Sequence, residues 1–230
     1  MKKLISLICV LAMVLALAAC GSSAPAAATE APAASTEAPA EDVSADKTFV
    51  VGICQLVQHP ALDAATQGFK DALTEALGDK VTFQEQNASG DSATCSLICN
   101  QFVSDEVDLI MANATASIQA AASATNTIPI LGTSITDYGV ALGVDNWTGV
   151  SGTNISGTSD LAPLDGQAAM IQELFPDAKT IGLLYCSGEP NSIFQADSME
   201  ALLTDMGYSV ERYTFADSND VSSVTANACS

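Results

Sequence analysis

The sequence predicts an α/β fold in two lobes, each built from a parallel sheet flanked by helices. Short apolar runs alternate with helix-length amphipathic segments from residue 48 onward, which is the pattern of βαβ units. The alternation stops once, in a segment rich in Gly, Asn, Ser and Thr between residues 140 and 157, and then restarts. With 230 residues and 48% hydrophobic content, the chain is long enough to bury a sizeable core.

Residues 1–19 have the composition of a secretory signal peptide. A Met-Lys-Lys start precedes the apolar run Leu4–Ala19, which only Ser6 interrupts. A membrane-spanning helix needs about twenty apolar residues, so this run is short for a transmembrane anchor. The Leu-Ala-Ala-Cys ending resembles the lipobox of bacterial lipoproteins, which implies cleavage before Cys20 and lipidation of its sulfur.

Residues 20–47 are predicted to be the lipidated cysteine followed by a disordered stalk. The segment is rich in Ala, Pro, Ser, Thr and Glu, and Thr-Glu-Ala-Pro occurs at Thr29–Pro32 and again at Thr36–Pro39. No periodic apolar face is present that a helix or strand could bury. A flexible chain of this length has a root-mean-square reach of roughly 25–35 Å, so it tethers a folded domain near the membrane.

Residues 48–155 are predicted to form the first lobe. Phe49–Cys54 is a continuous apolar run, typical of a strand buried on both faces. A helix follows from Pro60, which suits the first helical position, to Leu77, with Gly78 as its C-cap. The same criteria predict strands at 81–86, 107–112 and 128–132, and helices at 92–102 and 116–125.

Residues 156–230 are predicted to form part of a second lobe. The crossing segment before them shows weak strand signals at 141–144 and 149–153. The later elements are helices at 164–174 and 192–206, strands at 180–185 and 209–215, and a helix cap at 217–220. Two strands against at least four predict a second lobe that is incomplete at its C-terminus, lacking about 80–120 residues if the lobes are of similar size.

The charge balance excludes several classes of function. Seven Lys and Arg stand against 27 Asp and Glu, which gives a formal net charge of −20. Because a surface this acidic repels phosphates, we expect no nucleic-acid partner. One His and seven scattered Cys, without a CxxC or HxxxH pair, predict no metal site. The chain also has no G-x-S-x-G and no Walker A sequence, so we expect neither a cofactor nor an enzymatic activity.

Nine segments of the folded part follow one another in an order that is typical of one family. They are Gln55–Asp63, Gln86–Asp91, Val107–Ile110, Asn113–Thr115, Thr133–Asp137, Gly157–Asp160, Ile171–Lys179, Gly182–Tyr185 and Glu189–Ser192. Behind a lipobox and a stalk, they resemble the substrate-binding proteins of bacterial ABC importers, in the tryptophan/tyrosine-type branch with a type I periplasmic-binding-protein fold. The resemblance covers residues 48 to 225, with one departure at Gln58, where the family more often has Glu.

The resemblance implies a solute-binding protein, lipid-anchored on the extracytoplasmic face of a bacterial cell membrane. Its partners are then a small-molecule ligand, an amino acid such as tryptophan or tyrosine, and an ABC permease in the membrane. Because the second lobe is predicted to be incomplete, we expect weak or absent binding by the 230-residue chain itself.

Polar residues gather where the predicted strands end, and ligands of open parallel sheets bind beyond those ends. Hydroxyl groups and helix N–H groups suit an α-carboxylate, while Asp137, Asp160 or Glu189 can accept from an α-ammonium group. The candidate ligand-binding residues are Gln55, His59, Asn113, Thr115, Thr133, Ser134, Asp137, Thr158, Ser159, Asp160, Tyr185, Glu189, Asn191 and Ser192.

Structural roles compete with these assignments. His59, Asn113, Thr115 and Ser192 are also ordinary helix-capping residues, and segment 133–137 also suits a turn. Tyr185 and the segment 158–160 have similar alternatives, as a buried ring and as a linker turn.

The cysteines leave a different choice open. Cys95 and Cys99 lie four residues apart on one helix face and are expected to be buried small hydrophobes rather than a bridge. Cys54 and Cys186 lie near equivalent strand ends of the two lobes. They are expected to pack in the core or at the cleft floor. The alternatives to solute import are a racemase or isomerase that uses this pair as acid and base, and a ligand sensor for a surface receptor.

Overall fold

The computed structural model describes residues 47–230. The predicted signal peptide, the lipidated Cys20 and all but the last residue of the stalk lie outside the described residues. Within the part that is described, no helix combines the length and the apolar character needed to cross a membrane.

The first lobe contains a parallel sheet of five strands in the order β2-β1-β3-β4-β5. The chain crosses in one direction from β1 to β2 and in the other direction from β2 to β3. The gap between β1 and β3 is therefore the switch point where ligands of such sheets bind. The strands are β1 (Phe49–Gln55), β2 (Val81–Asn87), β3 (Leu109–Asn113), β4 (Ile130–Ile135) and β5 (Ile155–Ser159).

Helices cover both faces of this sheet. Val51 and Ile53 of β1 face α1, where Phe69 and Leu73 pack on them, whereas Cys54 faces the opposite core with α2 and α3. The alternation of side chains along a strand explains why consecutive residues of β1 reach different layers. The helices are α1 (Pro60–Leu77), α2 (Ser92–Ser104), α3 (Thr115–Ala124) and the short α4 (Tyr138–Leu142).

The first helix begins and ends as its sequence predicts. Pro60 occupies its first turn, and Gly78 follows its last residue with φ of 57° while its N–H donates to the Thr74 carbonyl. A residue with a side chain is strained at that φ, which is why glycine suits the position.

The second lobe contains the two-stranded parallel sheet of β6 (Thr180–Cys186) and β7 (Ser209–Phe215). Its helices are α5 (Leu164–Leu174), α6 (Pro190–Asp205) and α7 (Val221–Ala228). Ala168, Met199 and Leu203 form its small core between α5, α6 and the sheet. Helix α6 also packs against α4 of the first lobe.

The prediction of strands at 141–144 and 149–153 in the crossing segment is wrong. Residues 138–142 form α4, because Asp137 accepts a hydrogen bond from the Val140 N–H at 2.8 Å and Gly143 ends the helix in the left-handed conformation. Residues 149–153 are loop, and the strand comes next, as β5. The first sheet therefore continues past residue 155, where the boundary between the lobes was expected.

Tyr138 helps to hold β5, which has a single apolar residue, at this edge of the sheet. Its hydroxyl donates to the carbonyls of Gly132 at 3.1 Å and Thr158 at 3.4 Å. A Cβ atom at Gly157 would lie only 2.2 Å from the Gly132 carbonyl oxygen. Glycine at 157 is thus required by close approach of β4 and β5, and the tyrosine ring is held beside that contact.

Candidate functional site

A buried polar network lies at the carboxyl ends of β1 and β3. Gln55, the last residue of β1, is 4% exposed, and Asn113, the last residue of β3, is 0% exposed. Thr66 of α1 links them: its hydroxyl donates to Gln55 Oε1 at 2.7 Å and accepts from Asn113 Nδ2 at 2.9 Å. Gln55 Nε2 donates to Asp63 Oδ1 at 2.6 Å, so the network reaches a charge at the start of α1.

One acceptor of this network has no partner among the described residues. Asn113 Oδ1 is buried and accepts no hydrogen bond, although both donor bonds of the same amide are made, to Thr66 and to the Leu62 carbonyl. The next residue, Ala114, has φ of 89° and caps α3 without a side-chain acceptor. The N-terminus of α3 thus offers N–H groups that no capping side chain occupies, next to the switch point.

A cleft lies between the two lobes, with a volume of about 730 Å³. The first lobe contributes the loops after β1 and β2, and the second contributes the loops after β6 and β7. The lining residues are Leu56, Val57, Ser89, Gly90, Leu184, Tyr185, Cys186, Gly188, Glu189, Ser192, Phe215, Ala216, Asp217, Ser218 and Val221. Volume and composition are those of a small-molecule site, with apolar walls and a few polar groups.

The electrostatics of the cleft are acidic at the side chains and positive at the helix ends. Glu189 and Asp217 supply carboxylates, and no Lys, Arg or His lines the cavity. Helices α6 and α7 begin at its wall, and neither has a side-chain cap on its N-terminal N–H groups. The cleft therefore offers acceptors for a cation and helix N–H donors for an anion.

The comparisons with known proteins agree with this geometry. The family model described as ABC transporter substrate binding protein matches residues 50–230. The chain belongs to this family. Its fold is the type I periplasmic-binding-protein fold, as the sequence predicts. Substrate-binding proteins of ABC transporters are extracytoplasmic solute-binding proteins and in general not enzymes.

A tyrosine-binding protein of Clostridioides difficile is 40% identical over 174 residues, which are 74% of this chain and 50% of that protein. The L-Trp complex of an ABC domain from Streptococcus pneumoniae has 32% identity and a TM-score of 0.74, covering 79% of this chain and 62% of that one. A ligand-free, open substrate-binding protein with adhesive properties from Clostridium difficile has 39% identity and a TM-score of 0.57, covering 78% and 62%. The chain thus spans about half the length of the curated relative it matches.

The cleft between the lobes includes only part of the predicted site. Tyr185, Glu189 and Ser192 line it together, and the Ser192 hydroxyl donates to Glu189 Oε2 at 2.7 Å. Asn191, in the first turn of α6, does not line it. The hydroxyl of Tyr185 accepts from Arg212 Nη1 at 3.2 Å, and the guanidinium is held in turn by carboxylates of α6.

Residues predicted in the first lobe lie beside this cavity rather than in its lining. Gln55 borders a polar cavity of about 670 Å³ with Asp63 and Asn87, and Thr133 and Thr158 border another of about 400 Å³. Asn113 and Thr115 are buried, at 0% and 5% exposure, behind the switch point. Ser134 and Ser159 lie at the ends of β4 and β5, Asp137 and Asp160 follow these strands, and none of the four lines the cleft.

Capping accounts for two of these residues. His59 is exposed, and its Nδ1 accepts from the Ala61 N–H at 3.2 Å at the start of α1. Asp137 caps α4 in the same way. Ser159 donates its hydroxyl to the Thr136 carbonyl at 2.8 Å, so it connects the ends of β4 and β5.

Several cleft residues escaped the candidate list. Leu56, which is partly buried, and Val57, which is exposed, are apolar loop residues that polar patterning does not select. Ser89 and Gly90 lie within the segment 86–91 that carries the family resemblance, so that segment was the available signal. Phe215 ends β7 and Ala216 to Ser218 follow it, so the rule that ligands bind beyond strand ends applied to them as well.

The two cysteines considered as a catalytic pair do not face one cavity. Cys186 lines the cleft, whereas Cys54 is 0% exposed inside the first lobe. The pKa of the Cys54 thiol is raised to about 12. A hydrogen bond from Cys95 lowers this pKa, but a hydrogen bond with Cys99 and burial raise it by more. A thiol held protonated and away from the ligand cannot remove a proton from it, so the racemase alternative has no support in this geometry.

Proposed function

We propose that the protein is the lipid-anchored binding component of an ABC importer for an aromatic amino acid. The observation that carries the proposal is the cleft between the lobes. Two carboxylates line it, two helices without side-chain caps begin at its wall, and the rest of the wall is largely apolar. An amino-acid zwitterion needs both kinds of group within one site. The relatives support the ligand class, since one is named for tyrosine and another holds L-Trp.

Each part of such a ligand has a matching group in the proposed mode. The α-ammonium group pairs with Glu189 or Asp217. The α-carboxylate accepts hydrogen bonds from backbone N–H groups at the start of α6 or α7. The side-chain ring lies against Leu56 and Val57 from the first lobe. Binding therefore requires both lobes, which is the basis for closure of a two-lobed clamp on its ligand.

The two structural comparisons differ in a way that fits closure. The chain superposes better on the L-Trp complex, with a TM-score of 0.74, than on the ligand-free open protein, with 0.57, although the latter is closer in sequence. Identity alone predicts the opposite order. The difference is expected if the lobes of this chain are arranged as in a ligand-bound member of the family.

The location and the partner complete the proposal. Cleavage before Cys20 and lipidation of its sulfur place the protein on the outer face of the membrane, with residues 20–47 as the stalk and the two lobes beyond it. A membrane permease receives the released ligand. No chemical change of the ligand is part of this function.

Isothermal titration calorimetry of a protein extended to the length of its relatives, with tyrosine, tryptophan and glycine as ligands, tests the ligand class. We expect heat with the aromatic amino acids and none with glycine. The variant Glu189→Gln removes one cleft carboxylate and is expected to weaken tyrosine binding about tenfold, while leaving binding of its des-amino analogue unchanged. Asp177→Asn is the matched control, because this exposed carboxylate precedes β6 at the opposite end of the sheet.

Two outcomes contradict the proposal. The absence of heat with every amino acid refutes the ligand class. An equal loss of affinity for tyrosine and for its des-amino analogue shows that Glu189 does not recognise the ammonium group. Weak binding by the 230-residue chain is compared with a protein extended to the length of its relatives, whose affinity is expected to be higher.

A further inference from the structure

Three buried thiols converge inside the first lobe, and the proposed import function uses none of them. Cys54 of β1 and Cys95 and Cys99 of α2 are each 0% exposed, and all three are free. The sulfurs of Cys54 and Cys95 both lie 3.7 Å from the hydroxyl of Ser117 in α3. One serine thus contacts two thiols from different elements, and the Cys54 thiol also has Cys95 and Cys99 as neighbours.

The cluster lies directly behind the first-lobe wall of the cleft. Cys54 is followed by Gln55, whose carbonyl accepts from the Ala88 N–H at 2.9 Å, and the Leu56 carbonyl accepts from the Gly90 N–H at 2.8 Å. The turn that leads into α2 is therefore bonded to the end of β1. Leu56 and Gly90 line the cleft, so the thiols lie on β1 and α2, the two elements next to this wall.

We propose that Cys54 and Cys95 are a latent disulfide site, oxidised by small-molecule disulfides outside the cytoplasm. The thiolate of Cys95 attacks the small disulfide, forms a mixed disulfide and releases one small thiol. The thiolate of Cys54 then attacks the Cys95 sulfur and releases the second small thiol. Two S–H bonds of the protein are replaced by one S–S bond, and the small disulfide takes up the two electrons and the two protons.

The position of the two cysteines in the fold decides the order of attack and the pairing. Cys95 lies in the first turn of α2, the end of that helix that can open locally, whereas Cys54 lies in a central strand. Cys99 is one turn deeper in the helix and has no hydrogen bond to Ser117. The shared serine therefore favours Cys95 over Cys99 as the partner.

Burial makes the site latent rather than open. The hydrogen bond to Cys54 and burial raise the pKa of Cys95, and the pKa of Cys54 rises to about 12. At neutral pH a thiol of that pKa has roughly a thousandfold less thiolate than an ordinary cysteine, so oxidation proceeds through opening of the first turn of α2. Exposed Cys229 and partly exposed Cys186 react without such opening.

Mass spectrometry of the full chain after incubation with oxidised glutathione tests the proposal. The reaction is stopped by acid, free thiols are alkylated in denaturant, and trypsin is added without reduction. Because the basic residues are few, the link joins fragment 48–70, which contains Cys54, to fragment 81–179, which contains Cys95 and Cys99. Chymotrypsin then cleaves after Leu97 and separates the two candidate partners in the wild-type sequence.

The expected result is a Cys54–Cys95 link whose rate of formation rises with low concentrations of urea, while Cys229 is modified at an unchanged rate. The double variant Cys186→Ala/Cys229→Ala is the control and retains the link, as does Cys99→Ala. A link from Cys54 to Cys99 overturns the pairing. The absence of any link after Cys229 has been fully modified overturns the site itself.

Discussion

Replacement of Thr66 by valine removes the central hydroxyl of the polar network at the strand ends. Thr66 is 3% exposed and connects Gln55 Oε1, at 2.7 Å, with Asn113 Nδ2, at 2.9 Å. Valine has nearly the same shape, so the change opens no cavity. Its effect on stability therefore reports the hydrogen bonds and not the packing.

The magnitude follows from the groups left without partners. The Gln55 amide oxygen loses the donor that it has in the structure, whereas Asn113 Nδ2 keeps its bond to the Leu62 carbonyl. A buried polar group without a partner costs about 1–3 kcal/mol. Counting Gln55 in full and Asn113 in part, we expect the free energy of unfolding to fall by about 2–4 kcal/mol.

Urea unfolding followed by circular dichroism measures this loss. Thr82→Val is the matched control, since Thr82 is exposed on β2 and its hydroxyl makes only a 3.4 Å bond to the Phe49 carbonyl. The control is expected to stay within about 0.5 kcal/mol of wild type. The double variant Gln55→Leu/Thr66→Val recovers part of the loss, because removing both partners leaves fewer unpaired groups. If Thr66→Val unfolds at the same urea concentration as the control, the network does not stabilise the fold.

Three further changes test the fold around the site. Gly52→Ala places a Cβ atom 2.6 Å from the Phe102 ring and is therefore expected to lower the melting temperature. The added change Phe102→Leu is expected to restore part of that loss. An unchanged melting temperature for the single variant contradicts the close packing. Tyr138→Phe removes the donor to Gly132 and Thr158 and is expected to cost about 1 kcal/mol in urea unfolding. The hydrogen bonds from Lys47 and from the Val50 N–H lower the pKa of Asp108, so its contribution to stability is present above its unfolded pKa and is lost as the pH falls through the folded value. Asp108→Asn is therefore expected to reduce the acid dependence of the melting temperature below about pH 4, and a titration curve parallel to wild type would argue against this role.

Local patterns predicted most helices and strands because their causes lie within a few residues. Pro60 and Gly78 bound α1 in the sequence as in the structure, and α5 and β7 have the bounds that the pattern predicts. The apolar run at Phe49 identifies a strand buried on both faces, and β1 is that strand. The predictions failed where glycine and threonine dominate, since such residues carry little hydrophobic pattern.

The fifth strand shows what a pattern of that kind cannot reveal. Ile155–Ser159 contains one apolar residue, and its pairing depends on β4, on the missing side chain of Gly157 and on the hydroxyl of Tyr138. Strand β4 and Tyr138 both lie at least 17 residues before Ile155 in the sequence. No window along the chain contains them together, so the structure alone places this strand in the first sheet.

The candidate site divides in the same way. The rule that ligands bind beyond strand ends selected the edge of the sheets at which the cleft lies, and Tyr185, Glu189 and Ser192 line the cleft there. The sequence did not show which strand-end residues face the other lobe and which turn inward. Gln55 and Asn113 turn inward because Thr66 of α1 offers them buried hydrogen bonds.

By itself, the sequence determined the class of fold: an acidic α/β chain with a predicted signal, a predicted stalk and polar loops at the strand ends. Those features depend on composition and on short-range periodicity, which are properties of the chain alone. The tertiary structure decided which loops meet across the cleft, that Cys54 lies near Cys95 and Cys99 behind its wall, and that Asn113 keeps an unpaired oxygen. These depend on contacts between residues far apart in the chain, which exist only after the sheets have formed.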